Sequence, residues 1–170
     1  MKILLTSMAL VAYVFASPGS AHVRINNHVP MYSLPGKIVG GIEALPHEFP
    51  FQLSLQYIWE NKRNHYCGAS LINENWIVTA AHCVYEIDPE LVTIVAGEHQ
   101  LQNAEGNEQF RKVTKVIIHS EYNWPDAVND IALLRLDAPL TLNTTSVGTI
   151  SIPSSGYEAS GKTNVFVMVF

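Results

Sequence analysis

Apolar and polar residues alternate in short runs through the middle of the chain, with no sustained three- and four-residue spacing of an amphipathic helix. The runs are "FPFQLSLQYIW" (49–59), "CGASLI" (67–72), "NWIVTAA" (75–81), "LVTIVAG" (91–97), "QFRKVTKVIIH" (109–119) and "DIALLRLD" (130–137). These are short β-prone runs, and turn formers such as "NENW", "NAEGN" and "NWPDAVND" separate them. Six strands at this spacing predict an all-β chain folded as a closed antiparallel barrel. The final run, "VFVMVF", is uncharged and β-prone, and reads as a strand whose neighbours are missing.

The N-terminal region has a different pattern. Lys2 precedes an apolar run from Ile3 to Phe15, followed by small residues in "ASPGSA". This predicts a secretory signal over 1–21, cleaved after Ala16 or Ala21. The run is shorter than the roughly 20 apolar residues a membrane helix needs, so no membrane attachment is expected once the signal is removed. Residues 22–37, "HVRINNHVPMYSLPGK", lack any period and end in a basic residue before "IVGG"; they read as a removable pro-segment.

Composition narrows the function. The chain has 170 residues, 48% of them hydrophobic, and a formal charge of −5, with no run of Lys and Arg. Nucleic-acid binding is therefore not expected. In a secreted chain the two cysteines, Cys67 and Cys83, meet an oxidising environment; they allow one intrachain bridge, and two buried thiols are the alternative. No His/Cys spacing suggests zinc.

"IVGG" (38–41), "TAAHC" (79–83) and "NDIALL" (129–134) occur in this order, with Cys67 fifteen residues before His82. Together they resemble the trypsin-like, chymotrypsin-fold serine proteases over about residues 38–163. Residue chemistry supports the same roles: acyl transfer near neutral pH needs a base such as imidazole, and a carboxylate can hold the base's second nitrogen. His82 and Asp130 are the matching residues, while His22, His28, His47, His65, His99 and His119 lack such a context. The resemblance implies the first Greek-key barrel of two, protein or peptide substrates, and activation by a protease cutting between Lys37 and Ile38. In the family the freed terminus pairs with an aspartate beside the nucleophile.

"GEHQLQNAEGNEQF" (97–110) resembles the calcium loop of trypsins. Glu98 and Glu108 would supply carboxylates, Gln100 and Asn103 backbone carbonyls, and Glu105 a carboxylate acting directly or through water. A solvated acidic hairpin is the alternative reading. "NTT" at 143–145 makes Asn143 an N-glycosylation acceptor.

The family's "GDSGG" nucleophile stretch does not occur in these 170 residues, and Ser154, Ser155 and Ser160 have no Asp before them or paired Gly after them. The expectation is a truncated, zymogen-like first barrel plus linker over 38–163 with a divergent tail over 164–170. It would carry His82 and Asp130 without the serine, be inactive alone, and be prone to associate through its exposed barrel face. A secreted non-catalytic homologue serving as a binding module is the alternative.

Overall fold

A computed structural model of the chain describes residues 41–60, 62–143, 145–158, 168 and 170. The signal, the pro-segment, the Lys37–Ile38 junction and most of the apolar tail lie outside the described residues. The six expected strands are present: β1 (Gln52–Trp59), β2 (Lys62–Asn73), β3 (Trp76–Thr79), β4 (Thr93–Ala96), β5 (Gln109–Ile118) and β6 (Ala132–Leu136). They close into one antiparallel barrel in the order β1-β2-β3-β6-β5-β4. The pairing of β3 with β6, and of β1 with β4, makes the connectivity a Greek key and leaves neither edge of the sheet free.

Strand alternation fills the interior. Leu53 and Leu55 of β1, Leu71 of β2, Ile77 of β3, Ile94 of β4, Val113 of β5, and Leu134 and Leu136 of β6 all belong to one buried core. Ile77 and Leu134 are register partners and fully buried, as are Leu55 and Ile94. Burying each such side chain contributes about 1.5 to 3 kcal/mol.

Two departures from simple alternation matter below. A bulge between Val113 and Lys115 makes Thr114 an extra residue in β5, and its hydroxyl donates to the Arg135 and Leu136 carbonyls. At the end of β4 the chain turns through Gly97 with φ +77°, and a Cβ there would stand 2.6 Å from the Asn107 carbonyl oxygen.

Strand ends differ from the apolar runs in both directions. β2 begins at Lys62, five residues before "CGASLI", because the polar stretch "KRNHY" pairs with β1 out to Trp59↔Lys62. β3 stops at Thr79, and Ala81–Cys83 form a short 3-10 turn. The bridge between Cys67 and Cys83 is formed, with Cα atoms 6.2 Å apart. It joins β2 to that 3-10 turn.

Replacing both cysteines by serine should therefore lower stability by about 3 kcal/mol, the chain-entropy value for a loop of this length. Thermal melts of parent and variant check this, and equal melting temperatures would contradict a structural role for the bridge.

Candidate active site

The site forms where β3 and β6 run past each other. Thr79 and Ala132 are the last register partners of this antiparallel pair. Residues just after β3 must therefore lie beside residues just before β6, which places His82 next to Asp130 although 48 positions separate them. The 3-10 turn buries Ala81 and Cys83 and leaves His82 partly exposed between them. On the other side, Asn129 adopts φ 56°, a conformation asparagine tolerates, and turns Asp130 towards the histidine.

Asp130 holds His82 at two points. The His82 backbone N–H donates to Oδ1 at 2.8 Å, and Nδ1 lies 2.6 Å from Oδ2. An ionised carboxylate only accepts, so Nδ1 carries the proton of neutral His82 and Nε2 carries the lone pair. Nε2 lies 3.4 Å from Cys83 Sγ, a disulfide sulfur with no proton to give. The imidazole is thus oriented at one nitrogen and basic at the other. Cys67, His82 and Cys83 also bring their donor atoms within 4.8 Å of one another, but both sulfurs are consumed in the bridge, so no thiolate is available to hold a metal.

Aromatic residues flank the pair. The Tyr85 ring meets Tyr122 edge-on at 5.4 Å and stacks on Trp124 at 6.2 Å. The Tyr122 hydroxyl is buried without a hydrogen-bond partner. Burial first, then the charges of Asp130 and Tyr85, raise its pKa and keep the phenol neutral. Tyr66, just before Cys67, likewise buries its hydroxyl, and desolvation pushes its pKa up to about 12.

The acidic loop folds back on itself. Glu105 accepts from the backbone N–H of His99 and Gln100, at 2.7 and 3.1 Å, and Glu108 accepts from those of Glu105 and Gly106. The Gln100 carbonyl accepts from the Asn103 N–H at 3.2 Å. Backbone hydrogen bonds hold the Glu108 carboxyl below its usual range. Glu98 is raised, by desolvation most strongly; hydrogen bonds from Gln56 and Ser54 oppose the shift, and the charges of Glu108 and Glu105 add to it. Glu98 is thus a half-buried carboxylate facing two others. Exposed Asn143 accepts at Oδ1 from the N–H of Thr145, Ser146 and Val147, and its Nδ2 donates to Ser146 Oγ at 3.2 Å.

Sequence reasoning missed a polar chain that ties this loop to the barrel. Gln56 Nε2 donates to Ser54 Oγ at 2.9 Å and to Glu98 Oε2 at 2.7 Å, and Ser54 Oγ lies 2.8 Å from His65 Nδ1. Ser54 and Gln56 are buried on the outer face of β1, where the alternation in "LSLQ" suggests solvent. The histidine with no recognisable motif is thereby part of a built network.

The sequence model of the trypsin family matches residues 38–170. Trypsin-1 of Astacus astacus is 44% identical over 133 residues, covering 76% of this chain and 55% of the relative. The trypsin of Sus scrofa is 42% identical over 119 residues, covering 70% and 47%. Coagulation factor IX of Oryctolagus cuniculus is 44% identical over 135 residues, covering 77% and 44%. The chain spans about half the length of the curated relatives it matches.

Proposed function

The chain belongs to the trypsin-like, chymotrypsin-fold family of serine proteases, and from that premise we propose that it supplies the base and orienting carboxylate of a secreted serine endopeptidase. His82 is the general base acting through Nε2, and Asp130 fixes the tautomer and stabilises the imidazolium that forms. The single observation that carries this reading is the double contact of Asp130 with the His82 backbone and Nδ1. Residues 1–21 act as the signal, 22–37 as the pro-segment, and Lys37–Ile38 as the bond an activating protease cuts. Asn143, exposed in a polar turn, is the glycan acceptor in the secreted product.

His82 needs a hydroxyl to deprotonate and donors for the developing oxyanion. The 170 residues contain no "GDSGG", so we propose that the chain by itself does not hydrolyse peptide bonds. Without its complement, the barrel face that would meet a second barrel drives self-association. Glu98, Glu105 and Glu108 would supply carboxylates to a structural calcium ion, with the Gln100 and Asn103 carbonyls completing the oxygen set once the loop closes on it. Desolvation raises Glu98 most, and the charges of Glu108 and Glu105 add to the shift; a cation would relieve that added repulsion, which supports the reading. The ion would serve structure only.

The chain, cut after Lys37 and freed of the activating protease, should show no turnover of arginine or lysine esters and no labelling by a fluorophosphonate probe. Labelling of any serine, or turnover abolished by His82→Ala, would overturn the proposed inactivity. Joined to the second-barrel half of porcine trypsin, the same residues should support ester hydrolysis that falls about ten-thousand-fold with Asp130→Asn. An active chimera indifferent to His82→Ala would refute the assignment of the base.

The calcium reading predicts a sign. A raised folded pKa means that the Glu98 contribution to stability is present below the usual carboxylate range and lost as pH rises through the folded value. Glu108, lowered, contributes above that range and loses its contribution as pH falls through its own folded value. In chelator near neutral pH, Glu98→Gln should therefore melt above the parent and Glu108→Gln below it. Near about pH 4, where ordinary glutamates protonate, both gaps should shrink. Calcium should raise the melting temperature of the parent but not that of Glu98→Gln. A calcium-free Glu98→Gln that melts below the parent at neutral pH would contradict the account.

A further inference from the structure

The lysines and arginines of the described residues gather on β2, β5 and β6: Lys62, Arg63, Arg111, Lys112, Lys115 and Arg135. Arg111 is spent locally, donating to the carbonyls of Phe110, Ala138 and Pro139. The others are exposed, and Arg63, Lys112, Lys115 and Arg135 lie on or beside the outer face of β5. In a regular strand Lys112 and Lys115, an odd number of positions apart, would point to opposite faces. The bulge at Thr114 resets the phase, so Val113 and Val116 both pack on the core and both lysines are exposed. Lys115 is the register partner of exposed Arg135, and at the other end the Arg63 guanidinium lies 4.0 Å from the Phe110 ring centroid. These cations line about 15 Å of strand.

Among the described residues no ion pair within 4.0 Å is seen between a carboxylate and any of these cations. Asp137 accepts from the Lys112 backbone N–H and does not bridge to its ammonium. Lys112 Nζ donates to Thr93 Oγ1 at 3.2 Å. In a chain of formal charge −5 with fifteen acids, this concentrates positive charge on one face.

We propose that the outer face of β5 is a docking surface for a linear sulfated polysaccharide, with Arg63, Lys112, Lys115 and Arg135 meeting its sulfates. Contact with the Phe110 ring holds the exposed Arg63 guanidinium, a planar fork suited to a sulfate, against the barrel. A peptide strand would gain little here. β5 is paired to β4 over Gln109–Lys112 and to β6 over Val113–Ile118, so neither edge is open along its whole length for strand addition, and isolated exposed ion pairs contribute little. A polysaccharide with several sulfates per repeat presents many charges to this face at once.

The test uses the full chain and fluorescein-labelled heparin. The parent should bind in low salt despite its net negative charge, and chemically desulfated heparin should not. Lys115→Gln with Arg135→Gln should weaken binding about tenfold and flatten its salt dependence, and Arg63→Gln with Lys112→Gln should do the same independently. All four side chains are exposed, and circular dichroism verifies that each variant keeps the fold. Glu90→Gln with Glu121→Gln, which alters charge elsewhere, should leave affinity unchanged. Absence of binding by the parent, unchanged affinity in both basic variants, or displacement by polyglutamate or single-stranded DNA as effective as by heparin at equal charge would overturn the proposal.

Discussion

Four residues of β3 pair with β6 across a gap of more than fifty positions, and the barrel and the site both depend on that pairing. It closes a sheet that would otherwise end at β3. It also sets Ile77 against Leu134 in the core and carries the register through Thr79↔Ala132 to the two chain segments just beyond. At those segments the backbone leaves the ladder, and side chains beside a rigid rim become available for chemistry. His82 is held there from three directions: by its covalent link to β3, by Asp130 ahead of β6, and by the Cys83–Cys67 bridge to β2. A base gripped this way needs little reorganisation before it accepts a proton.

Much of this was legible in the sequence. Strand alternation predicted all six strands, since each apolar run had to bury one face, but neither of the short 3-10 helices at Ala81–Cys83 and Pro89–Leu91. His82 and Asp130 stood out because motifs flank them, and the cysteine pair because only one intrachain bridge was possible. What alternation could not reveal was register. "KRNHY" carries no apolar signal, yet it extends β2 because β1 lies opposite and pairs with it. Ser54 and Gln56 look solvent-facing in period two, but the acidic loop meets that face through Glu98 and their polar atoms find partners. Lys112 and Lys115 fall on opposite faces in any reading that lacks the bulge.

Polar interactions in this fold are therefore of two kinds. Some, such as Asp130 with His82 and Gln56 with Ser54 and Glu98, are short, at least partly buried and decide where a loop sits. Others, such as Lys115 and Arg135, are exposed and have no ion pair to a carboxylate among the described residues, which leaves their charge available to an external partner. The acidic loop joins the two kinds, since Glu98 is tied inward by Gln56 while it also faces Glu105 and Glu108.

The central claim is that Asp130 fixes the protonation pattern of His82, and nitrogen NMR of the 15N-histidine-labelled chain tests it most directly. The account predicts that neutral His82 shows a protonated Nδ1 coupled to a strongly downfield proton and an unprotonated Nε2. Asp130→Asn should remove the downfield proton and release the tautomer preference. A neutral His82 protonated at Nε2, or a spectrum unchanged by Asp130→Asn, would contradict it.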